Sequence, residues 1–180
     1  ALQKLAPITF EAAIFTNLTP EHLDFHKTME AYALAKASLF QKTKLGICNA
    51  DSPYCEQMLA AATCRRITCT AKDKDADYTA NEIEIQAQNG VAYRLSSART
   101  RLRIACPIAG EFTVMNSMQA AICAIELGCS PAAIKTALAT MGGVKGRMER
   151  VRLGLEADFS VLIDYAHTPD ALENVLKTLR

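Results

Sequence analysis

Apolar and polar positions in the first 70 residues predict a parallel α/β unit. We predict a buried strand over residues 11–16, a helix with Thr19 as N-cap and Pro20 as its first residue, and a second helix from Thr28 to about Gln41. The short apolar strands "KLGICNA" and "RRITCT" follow, and the helix "SPYCEQMLAAA" separates them. Strands and helices that alternate in this way favour a parallel sheet with helical crossovers.

The middle of the chain has a period of two, which predicts antiparallel strands. The segment "NEIEIQAQNGVAYRLS" alternates on both sides of Asn89-Gly90. Asn-Gly between alternating strands is typical of a tight hairpin, because both positions adopt positive φ in a type I′ turn. The segment "RTRLRIACPIAG" alternates as well, with Leu102, Ile104 and Cys106 on one face. We therefore expect a small antiparallel sheet after the parallel part.

A helical period returns after Gly110. It predicts a nearly all-apolar, buried helix, "FTVMNSMQAAICAIELG", that ends at Gly128, and a second helix capped by Ser130-Pro131. The basic, glycine-rich stretch "GGVKGRMERVRLG" predicts a linker or a ligand loop. The closing "FSVLIDYAHTPDALENVLKTLR" predicts a buried strand, a polar elbow and a helix with Thr168 as N-cap. This pattern is typical of the opening strand and helix of a second α/β domain.

Composition and charge exclude several classes of protein. The chain has 180 residues, of which 50% are hydrophobic and 22% charged, so a sizeable core is expected. Lys and Arg number 20 against 19 Asp and Glu, which predicts neither a nucleic-acid partner nor an anionic membrane surface. No apolar run reaches the ~18 residues of a membrane span, and no signal peptide is recognisable.

The ends and the cysteines add two expectations. The chain begins without methionine inside a helical pattern and stops inside another, so we expect a fragment of a longer protein. Its seven cysteines include no C-x-x-C pair and lie mostly among apolar neighbours. These features predict reduced, buried thiols in a cytoplasmic protein rather than a zinc site.

One lysine and two histidines near the start are candidates for chemistry. His22 and His26 lie four residues apart, so on one helix they would share a face and bind a transition metal, or they would only cap and pack. Lys36 lies on the same apolar stripe as Tyr32 and Phe40. Either its stem packs while its amine reaches solvent, or burial favours the neutral amine. A neutral amine can take up carbon dioxide, and the resulting carbamate has the oxygen ligands that Mg²⁺ prefers.

Three further side chains lie where a ligand is plausible on chemical grounds. Asn116, an amide in an apolar helix, needs either a backbone partner or an adenine edge. Arg147 in the glycine loop either faces solvent or binds phosphate. Asp164 follows a predicted strand and either caps a turn or binds ribose hydroxyls. The chain contains no G-x-x-x-x-G-K-[ST], so these residues alone do not make a P-loop enzyme.

Four stretches together resemble the Mur ligases of peptidoglycan synthesis, and most of all the branch that makes UDP-N-acetylmuramoyl-tripeptide. They are "TNLTPEHLDFHKTMEAYALAKASLF", "GEFTVMNSMQAAICAIELG", "GGVKGRMERV" and "VLIDYAHTPDALENVLKTLR". The resemblance runs over the whole chain and is weakest over residues 50–100. It implies the later part of a central ATPase domain over residues 1–151 and the start of a Rossmann-like C-terminal ligase domain over residues 152–180.

The resemblance also implies a reaction. ATP would phosphorylate the D-Glu carboxylate of UDP-MurNAc-L-Ala-D-Glu, and a diamino acid, diaminopimelate or lysine, would attack the acyl phosphate with Mg²⁺ as cofactor. The phosphate-binding loop and the UDP-binding domain would lie before residue 1, and the loop that selects the amino acid would lie beyond residue 180. We expect a monomer, and no ATP turnover by the 180 residues alone.

Roles for individual residues follow from the same resemblance. Lys36 matches the family's carbamylated lysine (N6-carboxylysine) and His22 the histidine beside it at a Mg²⁺ ion. Asn116 matches the residue that contacts adenine, although many relatives carry a second asparagine where this chain has Thr113. Arg147 matches the arginine near the nucleotide phosphates, and Asp164 matches the aspartate that holds the ribose. His167 lies close to the same nucleotide. Contacts with the UDP-linked substrate are expected from Thr16, Asn17 and His26.

Two alternatives stay open at this point. A folylpolyglutamate synthetase shares the ATPase chemistry, but "HLDFHKTMEAYALAK" with "DYAHTPDALE" favours the Mur branch. A nucleotide-binding module without catalysis is the other alternative, because no P-loop lies within the chain.

Overall fold

Six strands form one continuous mixed sheet. The computed structural model describes residues 8–20, 23–86, 90–151, 154 and 158–179. In chain order, which is also their order across the sheet, the strands are β1 (Phe10–Phe15), β2 (Thr43–Asn49), β3 (Arg65–Thr70), β4 (Tyr78–Gln86), β5 (Gly90–Ser96) and β6 (Arg101–Cys106). The pairs from β1 to β4 are parallel, and the pairs from β4 to β6 are antiparallel. The predicted antiparallel strands therefore extend the parallel sheet.

Helices connect and cover this sheet. They are α1 (Leu23–His26), α2 (Met29–Ala37), α3 (Cys55–Ala60), α4 (Phe112–Glu126), α5 (Pro131–Ala139) and α6 (Pro169–Thr178). A 3₁₀ turn, Ser38–Gln41, extends α2 to the predicted end. A separate antiparallel pair joins β7 (Glu149–Arg150) to β8 (Leu162–Ile163). In the described part of the chain, no helix is long and apolar enough to cross a membrane.

The predicted helix caps are confirmed with one exception. Side-chain oxygens of Thr28, Ser130 and Thr168 each accept the backbone N–H three residues on, at 3.1, 3.2 and 3.3 Å. Gly128 ends α4 with a φ of 87°, a left-handed conformation that glycine adopts without strain. The exception is Pro20, which lies in a bend, so the prediction of a helix starting there was wrong.

The hairpin between β4 and β5 is confirmed by its pairing. Gln86 lies opposite Gly90, and Gly90 has a φ of 86°. Asn89, the other predicted turn residue, lies outside the described residues.

Two hydrophobic clusters lie on the sheet. The larger packs α4 and α5 onto β2–β6, around the fully buried Tyr93, Ile104 and Met118. The smaller packs α2 and α3 around Phe40 and Met58. Both follow from the predicted apolar faces, because each helix buries one stripe against one face of the sheet.

The strand near residue 162 differs from its prediction. It is only two residues long, and Ile163 is 50% exposed instead of buried. Its partner among the described residues is β7, which is equally short.

Candidate active site

Tyr32 organises the segment that carries the candidate lysine. The imidazole of His26 stacks on the Tyr32 ring with centroids 4.7 Å apart and an interplanar angle of 16°. The Nζ atom of Lys36 lies 5.2 Å from the centroid of the same ring. Tyr32 is itself buried, so the side chains of His26 and Lys36 both contact a ring that is held in the core.

Lys36 is exposed, which excludes the alternative in which its amine is buried in the core. The buried face of α2 is made by Tyr32, Ala33 and Ala37. Lys36 lies in the last turn, where its flexible stem carries the ammonium past the Tyr32 ring into solvent. The alternative in which the stem packs and the amine stays hydrated is the one observed.

The described residues do not make a metal site by themselves. None of them form a group of three or more His, Cys, Asp or Glu side chains close enough to hold an ion. His22, the other predicted ligand beside Lys36, lies outside the described residues. Thr16 and Asn17, the predicted substrate contacts, are exposed at the carboxyl end of β1. There the carbonyl of Thr16 accepts a hydrogen bond of 2.7 Å from Nδ2 of Asn49.

Asp164 joins the glycine loop to the polar elbow. Its Oδ2 accepts the N–H of Met148 at 2.7 Å, and its Oδ1 accepts the N–H of Ala166 at 2.7 Å. Met148 has a φ of 44°, an uncommon conformation for a side chain of its size. The turn-capping role is therefore observed, and each carboxylate oxygen keeps a further lone pair for a ligand.

Tyr165 brings Arg147 and His167 to the same elbow. The guanidinium carbon of Arg147 lies 4.6 Å from the centroid of the Tyr165 ring. The His167 ring meets Tyr165 edge-on at 4.9 Å, and its Nδ1 lies 2.9 Å from the Tyr165 carbonyl oxygen. Arg147 and His167 are exposed, and Asp164 is half-buried beside them. Three of the four residues predicted for the nucleotide thus lie together.

A cleft of about 990 Å³ opens next to this cluster. Residues 107–109, which precede α4, line one part of it, and residues 141–145 and 147–151 line another. Lys145, Arg147 and Arg150 outnumber Glu149 among its charged lining residues, so the cleft attracts anions. Its size is within the range of small-molecule sites.

Asn116 lies apart from the other three. It is exposed on α4 and is not among the residues that line the cleft. Burial does not oblige this amide to take the backbone partner considered above, because α4 buries one face only and Asn116 lies outside that face. Thr113, which stands where many relatives have asparagine, is buried, and its hydroxyl donates to the Ala109 carbonyl at 3.1 Å. It therefore offers nothing to a base.

All seven cysteines are free. Burial is confirmed for Cys48, Cys55, Cys69 and Cys106, whereas Cys64 and Cys123 are half-buried and Cys129 is exposed, so the prediction of buried thiols holds only in part. Burial raises the pKa of the Cys69 thiol from 9.0 to about 12, because a thiolate loses its hydration there. The pKa of Cys48 is raised as well, chiefly by its interaction with the Cys55 side chain and then by burial. The same interaction lowers the pKa of Cys55. The S–H of Cys48 itself donates to the Cys55 carbonyl oxygen at 3.7 Å.

Sequence reasoning missed Tyr165, Asn49 and Gln119. Tyr165 lies inside the recognisable "DYAH", but no local pattern indicates that Arg147 would pack on it. Asn49 ends a strand, a position that can signal a ligand. Gln119 bonds the Phe15 carbonyl across 104 residues of sequence, and this contact has no local signal.

Comparison with known proteins identifies relatives. The family model described as the Mur ligase middle domain matches residues 1–124. A UDP-N-acetylmuramoyl-L-alanyl-D-glutamate–2,6-diaminopimelate ligase from Syntrophomonas wolfei is 42% identical over 186 residues, which cover 99% of this chain and 37% of that relative. The protein of the same name from Streptomyces coelicolor is 37% identical and covers 99% of this chain and 36% of its own length. The chain spans little more than a third of these curated relatives.

Solved structures agree on the fold. A structure of a ligase of that name aligns with a TM-score of 0.78 at 34% identity, over 94% of this chain and 35% of the other. MurF from Acinetobacter baumannii aligns with a TM-score of 0.82 at 22% identity, over 94% and 37%. MurF ligase from Thermotoga maritima, solved in complex with ADP, aligns at 0.75 and 15% identity, over 99% and 40%. The last two, below 25% identity, support the α/β fold alone.

Proposed function

The chain belongs to the Mur ligase family, and from that premise we propose that it forms part of an ATP-dependent, amide-forming ligase. Residues 1–151 are the later part of the central ATPase domain, and residues 152–180 begin the C-terminal ligase domain. The whole protein adds diaminopimelate to UDP-MurNAc-L-Ala-D-Glu in peptidoglycan synthesis. One observation carries this proposal: 42% identity across 99% of the chain to a ligase whose name states both that acceptor and that amino acid.

The reaction proceeds in two steps. A carboxylate oxygen of the acceptor attacks the γ-phosphorus of ATP, which releases ADP and leaves an acyl phosphate. The amine of diaminopimelate then attacks the acyl carbon, an amide bond forms, and phosphate departs with the oxygen that the carboxylate contributed. Activation is needed because a free carboxylate is a poor electrophile with a poor leaving group.

The nucleotide binds at the elbow between the two parts of the chain. Arg147 contacts its phosphates, Asp164 its ribose hydroxyls, and His167 lies close by. The support is geometric: these side chains meet around Tyr165, beside a cleft of about 990 Å³ with an excess of cationic residues. The Thermotoga maritima relative was solved with ADP. Asn116 contacts adenine, and its exposed amide suits the edge of a base.

Magnesium fits the described residues only in part. Among those residues no group of three or more His, Cys, Asp or Glu side chains lies close enough to hold the ion. The proposal is that Lys36, as N6-carboxylysine, and His22 supply two of its ligands. The exposure of Lys36 leaves its amine accessible to carbon dioxide. When bound, Mg²⁺ would offset negative charge on the phosphoryl group.

The protein is placed in the cytoplasm as a monomer. Seven free thiols suit a reducing compartment. Its partners are UDP-MurNAc-dipeptide, ATP and the amino acid. The UDP-linked substrate is contacted by Thr16, Asn17 and His26. Thr16 and Asn17 are exposed at the carboxyl end of β1, where parallel α/β sheets bind ligands.

A competition assay on the whole protein tests the function. It is incubated with ATP, UDP-MurNAc-L-Ala-D-Glu and equal amounts of meso-diaminopimelate and L-lysine, and the products are identified by mass. We expect an ATP-dependent diaminopimelate adduct. A lysine adduct alone would overturn the amino-acid assignment. A parallel reaction contains ATP, a folate and glutamate, and ATP binding is measured separately by calorimetry. A glutamate adduct of the folate, with no muramoyl product in the first reaction, would indicate the folylpolyglutamate synthetase alternative. Binding of ATP with no product in either reaction would indicate a non-catalytic module.

A further inference from the structure

A buried side chain of α4 holds the carboxyl end of β1. Nε2 of Gln119 donates to the carbonyl oxygen of Phe15 at 2.8 Å, and Gln119 is 1% exposed. Phe15 is the last residue of β1, and Thr16 and Asn17 follow it. We propose that Gln119 is a positioning residue: it fixes the backbone that leads into Thr16–Asn17, and thereby sets the affinity for the UDP-linked substrate. This inference rests on the proposed function of that segment.

Packing alone does not explain a glutamine at this position. Its Oε1 is buried and has no hydrogen-bond partner among the described residues. A buried carbonyl without a partner costs free energy that an apolar side chain of the same length would avoid. Its helix neighbours Met118 and Ile122 are fully buried and apolar, so an apolar side chain would suit the surroundings. What the carboxamide adds is the bond to Phe15 and an interaction with the Cys69 side chain, which lowers the pKa of that thiol against the larger effect of burial.

The end of β1 is also held from the side of β2. Among the described residues β1 pairs with β2, in a ladder whose last register pair is Phe15 with Cys48. Beyond that pair, Nδ2 of Asn49 donates to the Thr16 carbonyl at 2.7 Å, and Oδ1 of Asn49 accepts the N–H of Asp51 at 2.9 Å. Two consecutive carbonyls are thus each held by a carboxamide, one from α4 and one from the end of β2.

This arrangement predicts an effect on one substrate. The bond from Gln119 ends on the backbone that leads into Thr16–Asn17, whereas Arg147, Asp164 and His167 are held together by contacts around Tyr165. Loss of the bond should therefore loosen the UDP-linked substrate and leave ATP binding unchanged.

The test compares two variants of the whole protein. Gln119→Met keeps the length of the side chain and removes the donor. Ser117→Ala is the matched control, because Ser117 is also buried in α4 and bonds Tyr93 at 3.0 Å and the Thr113 carbonyl at 2.6 Å, with no hydrogen bond to the described residues of β1. For Gln119→Met we expect KM for the UDP-linked substrate to rise at least about fivefold, as for the loss of one hydrogen bond, with KM for ATP unchanged. Ser117→Ala should lower Tm and change neither KM.

A second readout does not depend on catalysis. Hydrogen–deuterium exchange should be faster for the backbone amides of residues 16–18 in Gln119→Met and unchanged in Ser117→Ala. Unchanged exchange would overturn the positioning role, and faster exchange with an unchanged KM would overturn its link to the substrate. If the wild-type protein made no product, the proposed function would fail while the exchange still decided the positioning. Asn49→Ala, which removes the second carboxamide, serves if Gln119→Met does not fold, and should raise the same KM.

Discussion

Among single residues, Lys36 has the surroundings that matter most for the proposed chemistry. Its ammonium lies 5.2 Å from the centroid of the Tyr32 ring, a contact that favours a cation. A carbamate on the same nitrogen would be an anion and would lose that attraction. It would need a positive partner instead, and a divalent cation with oxygen ligands is the natural one. Because Lys36 is exposed, burial does not favour its carbamate. The carbamate would instead be stabilised by exchanging the Tyr32 ring for a divalent cation.

Replacement of this lysine tests the carbamate. In the whole protein, Lys36→Ala should lower the ligation rate by about 100-fold or more, as when one electrostatic group is removed from an active site. Added short carboxylic acids should restore part of the rate, because they supply the missing oxygen ligands. Lys44→Ala is the control, since Lys44 is exposed and pairs with Glu11 on the surface. Near-normal turnover by Lys36→Ala would contradict the carbamate hypothesis.

The buried thiol of Cys69 predicts a loss of stability in alkali. Its pKa is raised from 9.0 to about 12 by burial, so the folded state keeps its proton where the unfolded state releases it. The contribution to stability is complete below pH 9 and is lost between pH 9 and 12. Each such group lowers the free energy of unfolding by up to about 1.4 kcal/mol per pH unit in that window.

Denaturant titrations at pH 8, 9 and 10 measure this slope. Above pH 9, the free energy of unfolding should decline less steeply in Cys69→Ala than in Cys129→Ala, the control at an exposed cysteine. An equal slope in both variants would contradict the assignment to Cys69.

Among the elements, α2 depends on its cap. Thr28 accepts the N–H of Ala31 at 3.1 Å and begins the helix that presents Tyr32 and Lys36. Thr28→Ala should cost about 1 kcal/mol, or roughly 2–4 °C in Tm for a chain of this size. Thr28→Ser keeps the acceptor and should stay within about 0.5 kcal/mol of wild type. Thermal unfolding measures both, and an equal loss in the two variants would show that the hydroxyl is not the cause.

Elements with local signals could be predicted from sequence. Thr28, Ser130 and Thr168 each sit three residues before the N–H that they accept, so their caps are visible in the sequence. The alternation on both sides of Gly90 likewise revealed the hairpin, because strand pairing across a short turn is a local contact.

Features that depend on distant contacts could not be predicted. That β4 pairs with β3, and so joins both sets of strands into one sheet, depends on a contact between separate segments. Helical period placed Lys36 on the apolar stripe, but period does not say where the core ends along a helix. The bond from Met148 to Asp164, sixteen residues on, has no local pattern either.

At the scale of the whole molecule, the chain carries a cleft beside Arg147, Asp164 and His167, but it spans little more than a third of its curated relatives' length. It contains no G-x-x-x-x-G-K-[ST]. We therefore expect catalysis from the whole protein only. The 180 residues alone should release no phosphate from ATP. Measurable ATP-dependent ligation by this chain in isolation would contradict that expectation.

The most direct measurement follows an oxygen atom. The whole protein is given ATP, diaminopimelate and UDP-MurNAc-L-Ala-D-Glu whose D-Glu carboxylate carries ¹⁸O, and the released phosphate is analysed by mass spectrometry. An acyl phosphate predicts one ¹⁸O in each phosphate, formed in step with the diaminopimelate adduct. Unlabelled phosphate, or no ATP-dependent adduct, would contradict the account.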